Sequence, residues 1–490
     1  MRNTGLNVQE RLFLLLGLLT LSGCVVGPDY QKPVLNVPSD WSSANQSATK
    51  NNYEKNLQLA GWWRRLNDPI LNQLVDEVIK NNTSVATAQA NLRAARATYI
   101  QTGGAFLPSL DGSLSYTKAS SDAAKGLPYS GGIKAGWDLD LFGANKRARE
   151  GAFYGLQGAE NDLRFAMLTV IGDVATSYVQ LRSTQQKLAL MRDSLISQKQ
   201  TLQLTRDKLR AGAATQLDVG NAEGQVADTE ASIPQVETQL MATVHRIAVL
   251  TGRPPAALNA YLQKPSSVPQ VKWPIPMTVP AALLNGRPDV LKAERQFAQA
   301  TVAIGQKEAS FYPSLSLGGA INTSAMQLGD LASASNIVWS LAPGLSIPIF
   351  HGGQRIAALM GARAQRDQAF IAYQNAVLKA LEDVENALVA LNNERRRYTH
   401  TLRAAALHKK SMRLAYALYK EGNNSFLDLL NAQRGYYAGQ QSLIDSQLNL
   451  VVDYINLMKA FGGGWDGAVD AGQPLIIDHS TGPHFIKRQK

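Results

Sequence analysis

Four stretches of the chain alternate between apolar residues and polar or small residues. The clearest is GIKAGWDLDLF at 132–142, in which odd positions carry Ile133, Ala135, Trp137, Leu139 and Leu141 and even positions carry Gly132, Lys134, Gly136, Asp138 and Asp140. The others begin near Leu110, Leu315 and Ile337. Because successive side chains of a strand point to opposite faces, this period of two predicts β-strands with one apolar face. We expect two hairpins with long polar tips around 118–131 and 323–335.

Helical periodicity dominates elsewhere. Leucines recur every seven residues at Leu188, Leu195, Leu202 and Leu209. This spacing is typical of helices that pack on one another. No proline occurs between residues 128 and 234 or between 348 and 474, so the helices there can be long. We expect one helix from about 147 to 210, spanning roughly 90 Å. A shorter helix is expected to begin at Asp68 and Pro69, as N-cap and first helical residue.

The two halves of the chain repeat each other. AFLPSLDGSL at 105–114 matches SFYPSLSLGG at 310–319, and LFGANKR at 141–147 matches IFHGGQR at 349–355. RAGAATQLDVGNA at 210–222 matches KEGNNSFLDLLNA at 420–432. Matching register at so many points predicts two copies of one structural unit. Each copy is expected to contain a helix, a strand, a loop, a strand, a long helix, a tight turn and a second long helix.

The first two dozen residues have the pattern of a secretory signal peptide. A short polar segment with two arginines precedes LFLLLGLLTL, an apolar run of about ten residues that is too short to cross a bilayer as a mature helix. LSGC at 21–24 resembles a bacterial lipobox, which implies cleavage before Cys24 and acylation of that residue. Several acyl chains anchor a protein stably, at roughly 0.8 kcal/mol per buried CH₂. An ordinary buried cysteine is the alternative. Val25, where an aspartate would resemble an inner-membrane retention signal, favours the outer membrane.

Composition excludes several kinds of function. The chain has 490 residues, of which 45% are hydrophobic and 18% charged, as in folded proteins. Its single cysteine excludes a disulfide framework and a cysteine-based metal cluster. The net charge of +11 is spread along the predicted helices, so nucleic acid is not an expected partner. No common catalytic or metal-binding motif is present. We therefore predict no enzyme and no cofactor beyond the covalent lipid on Cys24.

The predicted strands suit a membrane. About ten residues each match the ~9–11 that a tilted strand needs to cross a bilayer. Four strands do not close a barrel with an open lumen, and unpaired edges in lipid cost several kcal/mol per backbone group. Several chains are therefore expected to share a barrel: three would supply twelve strands, and two would supply a blocked eight. A soluble sheet beneath helices is the alternative, but it explains neither the lipid anchor nor the long helices.

Three segments carry a resemblance to a known family. CVVGPDYQKP at 24–33, GRPDVLKAERQFAQATVAIGQKEASFYPSLSL at 286–317 and LLNAQRGYYAGQQSLIDSQLNLVVDYINLMKAFGGGW at 429–465 are similar to the lipoprotein branch of the outer-membrane efflux factors, the TolC/OprM/NodT-like family. The resemblance implies a mostly α fold with a small β part and two structural repeats. In a homotrimer, four strands per chain would form a twelve-stranded transmembrane β-barrel. Long coiled-coil-like helices would form an α-barrel that extends into the periplasm.

The implied function is the exit duct of a tripartite efflux pump. Small molecules such as drugs would pass passively from a periplasmic adaptor (membrane fusion) protein and an inner-membrane pump of the resistance-nodulation-division type to the outside. A non-conducting structural lipoprotein that spans the envelope and a type I protein-secretion conduit are the alternatives. The implied parts are a signal peptide (1–23), a lipidated segment with an equatorial region and first helix (24–81), a first repeat (82–252), an equatorial linker (253–286), a second repeat (287–464) and an equatorial tail (465–490).

The resemblance also implies site residues. A periplasmic gate falls on Leu427, Asp428, Asn431 and Arg434. Adaptor-docking tips fall on Gly212, Thr215, Leu217, Gly422, Ser425 and Phe426. Many relatives have aspartate at the position of Asn431, so this gate is expected to hold one acidic ring instead of two. We expect a ring of leucines to obstruct the entrance and an Arg–Asp network to latch neighbouring helices. Local capping by Asp428 is the alternative role of that residue.

Overall fold

The computed structural model describes residues 25–42, 59–118, 127–273 and 286–464. In these ranges the chain is mostly helical, with one four-stranded sheet, as predicted. The long helices and the strands are α1 (Pro69–Asn81), α2 (Thr83–Gly104), β1 (Ser109–Tyr116), β2 (Tyr129–Leu139), α3 (Ala144–Arg210), α4 (Gln216–Leu250), α5 (Pro288–Ala309), β3 (Ser314–Ala325), β4 (Ile337–Ser346), α6 (Gln354–Glu421) and α7 (Phe426–Ala460). None of the helices in these ranges offers an apolar run that would span a membrane.

The lengths of the elements reflect the repeat. Helices α2 and α5 each have 22 residues. Helices α3 and α6 have 67 and 68 residues, and α4 and α7 each have 35. The predicted helix at 147–210 is confirmed and begins three residues earlier, at Ala144. The signal peptide, the C-terminal tail and most of the second half of the equatorial linker lie outside the described residues.

The chain divides into two compact units. Of the described residues, the first comprises 25–35, 91–118, 127–160 and 292–375, and it contains the sheet. The second comprises 36–42, 59–90, 161–273, 286–291 and 376–464, and it contains the turns that join α3 to α4 and α6 to α7. Each unit takes residues from both copies of the repeat, so neither copy folds as a separate domain.

The sheet is antiparallel in the order β1-β2-β3-β4. Ile133 pairs with Ile321, which pairs with Trp339, so these side chains form one row on the apolar face. Asp138 pairs with Ser316 on the opposite, polar face. The predicted strands and their two faces are confirmed, and the β2–β3 pairing joins the two hairpins into one sheet.

Strand β2 ends earlier than the alternating pattern suggests. It stops at Leu139, although apolar residues continue at Leu141. The reason is that the Asp140 carboxylate accepts a hydrogen bond from the Lys146 backbone N–H at 2.8 Å. That contact satisfies a free N–H group in the first turn of α3, so the chain turns into the helix there.

Helix α1 begins where the sequence predicts. Asp68 Oδ1 accepts from the N–H groups of Ile70 at 2.9 Å and Leu71 at 3.1 Å, and Pro69 is the first helical residue. Proline does not mark a helix boundary at every position, because Pro234 lies inside α4 without ending it.

The buried side of α3 differs from the expected leucine stripe. Leu195 and Leu202 are only half-buried. The buried positions around these two leucines are polar: Ser194, Gln198, Thr201 and Thr205. Two of these bond to the second copy of the repeat, since Gln433 Nε2 donates to Thr201 Oγ1 at 2.9 Å and the Tyr419 hydroxyl lies 3.0 Å from Thr205 Oγ1. Between residues 194 and 205, helix α3 therefore packs through hydrogen bonds, with the leucines beside this polar stretch.

Candidate functional site

Two tips, residues 211–217 and 421–427, join the long helices in the second unit and have the same construction. Gly212 and Gly422 adopt left-handed φ angles of +73° and +84°, which favour glycine at the end of a helix. Thr215 then caps α4 by accepting from the Asp218 N–H at 3.2 Å. Ser425 caps α7 by accepting from the Asp428 N–H at 3.1 Å.

The predicted gate residues share one exposed face of α7. Leu427 is 59% exposed, and Asp428, Asn431 and Arg434 are also exposed. The opposite face of the helix is buried through Leu429, Leu430 and Gln433. The four predicted residues therefore lie together on a surface that is available to another chain or to solute.

The partners of the two charged gate residues lie within the chain. The Asp428 carboxylate accepts from the hydroxyl of the N-cap residue Ser425 at 2.5 Å, a local contact of the kind named as the alternative. Arg434 Nε donates to Gln225 Oε1, on α4, at 2.9 Å. That contact ties α7 to α4, and the sequence did not reveal it. A latch between Asp428 and Arg434 of neighbouring chains stays a prediction.

The predicted docking residues divide into exposed and buried positions. Thr215, Gly212, Gly422 and Ser425 are exposed, and Leu217 is 72% exposed. Phe426 is only 4% exposed and packs edge-to-face on Tyr419, with ring centroids 5.9 Å apart. Phe426 therefore supports the second tip from within and does not present its side chain to a partner.

An N-terminal strap, residues 25–30, is fixed to the first unit by Arg147. The Arg147 side chain is 3% exposed and reaches Asp29 Oδ1 at 2.8 Å and Glu150 Oε2 at 2.9 Å. It also donates to the carbonyls of Val26 at 3.2 Å and Gly27 at 3.0 Å. The Val26 N–H donates to the Phe142 carbonyl at 3.2 Å. The strap is thus bound to the segment that links β2 to α3.

Close packing on α5 holds the rest of the strap. Gly27 has a φ of +89°, and a Cβ there would lie 2.1 Å from the Gly305 Cα, so only glycine fits. The Tyr30 hydroxyl donates to Glu294, a carboxylate that is 1% exposed. Burial, together with this bond, raises the pKa of Tyr30. Cys24, the predicted lipidation site, lies outside the described residues but directly precedes the strap.

The described residues hold no group of three or more histidine, cysteine, aspartate and glutamate side chains at metal-binding distances. What they do present is a sheet with an apolar and a polar face and two matched pairs of long helices. These features fit the outer-membrane channel that the sequence predicts.

The outer membrane efflux protein model matches residues 74–253 and 279–463 of the chain. The chain therefore belongs to the outer membrane efflux protein family. It is 34% identical to nodulation protein T of Rhizobium leguminosarum bv. trifolii, over 93% of this chain and 97% of that protein. It is 29% identical to outer membrane protein OprJ of Pseudomonas aeruginosa, over 94% of this chain and 97% of that protein.

Solved structures show the same fold. The outer-membrane channel OprN has a TM-score of 0.82 at 30% identity, covering 90% of this chain and all (100%) of that one. CusC has a TM-score of 0.78 at 28% identity, with the same coverage. The mostly α fold with a small four-stranded sheet and the function as an outer-membrane exit duct of efflux pumps, both predicted from the sequence, are confirmed. Both solved structures are of channels, and the outer membrane is where this chain acts.

Proposed function

We propose that three copies of the chain form one conduit, and the sheet is the observation that carries this proposal. Every residue of β1 and β4 is exposed, and these strands are the two edges of the sheet. Trp339 and Ile321, on the apolar face, are 75% and 54% exposed. Three such sheets joined edge to edge would close a twelve-stranded barrel, with the apolar faces toward lipid and the polar faces toward the lumen.

In this proposal the long helices of the three chains form an α-barrel in the periplasm. The tips at 211–217 and 421–427 then meet a periplasmic adaptor protein, which connects the duct to an inner-membrane pump of the resistance-nodulation-division type. The exposed residues Leu217, Thr215 and Ser425 support this docking role. Relatives named as a toluene efflux pump outer membrane protein and a cation efflux system protein carry different solutes, so we assign small molecules such as drugs as a class.

Lipidation of Cys24 is part of the same proposal. The strap contacts hold Val25 and Val26 against the segment that follows β2. A lipid on the preceding residue would therefore enter the membrane at the end of the sheet near Leu139. Mass spectrometry of the purified protein tests this directly: we expect acylated Cys24 at the N-terminus, and an unmodified cysteine or an uncleaved leader would contradict it.

Conductance in planar bilayers tests the duct itself. We expect the purified protein to insert as a trimer and to give discrete conductance steps, which a structural lipoprotein without a lumen does not give. A protein that stays monomeric and water-soluble without detergent after removal of its acyl chains would refute the shared barrel. A type I secretion conduit would instead restore export of a protein substrate to a strain that lacks its own duct.

The gate is tested by a matched pair of variants. Asp428→Ala and Asp218→Ala each remove a carboxylate that accepts a hydrogen bond from the hydroxyl of the N-cap residue, at a cost of about 1 kcal/mol. Only Asp428 lies on the predicted gate face, so we expect increased conductance for Asp428→Ala and for Arg434→Ala but not for Asp218→Ala. Equal increases for the two aspartate variants would assign the effect to the loss of capping. No increase for either gate variant would place the closure elsewhere.

A further inference from the structure

The first unit contains a cavity at the base of the sheet, which we call the basal cavity. Its volume is about 600 Å³, and it is bounded by the end of β2, the segment from α5 to β3 and the segment from β4 to α6. Ser314 and Ser346 line it, and these two residues form a register pair on the polar face. The cavity therefore opens toward the polar side of the sheet.

Basic side chains outnumber acidic ones in this cavity. Lys307, Arg355 and His351 line it together with one carboxylate, Asp140. Arg355 Nη2 lies 3.0 Å from His351 Nε2. Asp140 already accepts a bond from the Lys146 backbone N–H. Among the described residues, neither Lys307 nor Arg355 forms an ion pair. The cavity consequently carries cationic groups without matching carboxylates.

Comparison of the two copies of the repeat shows how this charge arises. Arg355 occupies the same register as Arg147 in the LFGANKR and IFHGGQR segments. Arg147 is neutralised by Asp29 and Glu150, but the residue in register with Glu150 is Ala358, which lines the basal cavity. The strap occurs once, so Arg355 has no counterpart of Asp29 with which to pair. The second copy, which contains Arg355, also has Lys307 at the position of Thr102 in the first copy.

The cavity and the strap lie on different sides of α5. The strap packs on Gly305. At about 100° per helical residue, Lys307 is about 200° around the helix from Gly305. If the strap leads to a lipid anchor outside the barrel, as proposed above, the basal cavity lies on the inner wall. Phe142 and Tyr312, stacked with ring centroids 4.7 Å apart, add an aromatic surface to its lining.

We propose that the basal cavity binds aromatic organic anions on their way through the conduit. Lys307 and Arg355 attract the carboxylate or sulfonate, and the stacked rings of Phe142 and Tyr312 contact the aromatic part. Because Lys307 and Arg355 form no ion pair among the described residues, they are available to a solute. The proposal rests on the conduit function. It names the class of solute that the inner wall binds at the base of the sheet.

Equilibrium binding tests the site without requiring an open gate. The full-length protein in detergent is titrated calorimetrically with naphthalene-1,5-disulfonate at low salt. We expect saturable binding that weakens with added salt and at least tenfold weaker binding in Lys307→Gln/Arg355→Gln. Lys307→Arg should retain binding. Lys146→Gln is the matched control, because Lys146 is an exposed cation nearby that does not line the cavity, and it should bind as the wild type does.

Equal affinity in the wild type and the double variant would overturn the inference, as would equal losses in the double variant and in Lys146→Gln. If the double variant misfolds, the exposed residue Lys307 is replaced alone, with an expected loss of severalfold. The conduit function is judged separately: conductance without disulfonate binding refutes the site and leaves the duct intact. A reversal potential in a salt gradient that shifts toward cations in Lys307→Gln supports the site on the inner wall.

Discussion

Arg147 is the residue on which the strap most depends. Its side chain contacts the carbonyls of Val26 and Gly27 and the carboxylates of Asp29 and Glu150. Arg147→Ala would remove the charged donor from all four acceptors, at a cost of about 3 kcal/mol. Since 1.4 kcal/mol corresponds to a factor of ten, hydrogen exchange at the Val26 amide should accelerate about a hundredfold. The exposed neighbour Lys146→Ala should leave this rate unchanged. An unchanged rate in Arg147→Ala would show that the glycine contact suffices.

Asp453 makes the folding stability of the chain depend on pH. Burial and the nearby Glu394 raise the pKa of Asp453 from 3.8 to about 6. The folded state therefore binds a proton that the unfolded state releases between these values, so stability rises as pH falls through about 6. For a half-buried group we expect about 1–2 kcal/mol. Asp453→Asn should raise the unfolding temperature at pH 7 and about half as much at pH 5, because the unfolded carboxyl is still ionised at pH 5.

A suitable control for this test is Asp445→Asn on the same helix. Asp445 forms an ion pair with Lys187, so its removal should bring no gain at pH 7. An equal gain from Asp453→Asn at both pH values would mean that the carboxyl group is not protonated in this range.

At the residue scale, the sequence revealed exposed and capping positions better than buried polar ones. Asp68 was predictable because its capping contact lies within its own turn. The buried Thr201 was not, because its partner Gln433 is 232 residues away along the chain. The tie between Arg434 and Gln225 was missed for the same reason. Phe426 was assigned through resemblance alone, and its burial depends on Tyr419 in another helix.

At the scale of elements, the two faces of β3 offer a direct test of the membrane assignment. Ile321 and Asn322 are neighbours on opposite faces. Ile321→Lys should cost about 2–4 kcal/mol per chain if the apolar face meets lipid, and Asn322→Lys should be tolerated on the polar face. The readout is the yield of heat-resistant oligomer in outer-membrane extracts. Equal tolerance of both variants would indicate that Ile321 faces water.

The strands were predictable because alternation is a local signal. Helices α3, α6 and α7 were predictable because proline is absent from them. The end of β2 at Leu139 was not, since it depends on the side chain of Asp140 reaching into the next helix. The β2–β3 pairing joins residues from different copies of the repeat, and the local pattern of each strand contains no information about its neighbour.

At the scale of the whole molecule, the edges of the sheet predict how chains meet. Strands β1 and β4 are separated by β2 and β3, about 14 Å at 4.7–4.9 Å per step. Cysteines on these strands are too far apart to bond within one chain. We therefore expect Ser113→Cys, combined with one cysteine on β4, to give covalent trimers upon oxidation in membranes. The β4 positions to scan are Val338, Ser340 and Ala342.

Ser113→Cys alone should give no ladder of cross-linked species. Monomers for every combination would contradict an edge-to-edge barrel. The trimer expected here would also place three basal cavities and three straps in each assembly.

The equal lengths of the paired helices, 22 and 22, 67 and 68, and 35 and 35 residues, bear on the origin of the chain. A polypeptide with a single copy would supply two strands, so a ring of the same circumference would need six subunits. Two copies in one polypeptide halve the number of subunits in such a ring. They also release each half from sixfold symmetry, so that Arg147 binds the strap while Arg355 is available to the solute of the proposed site.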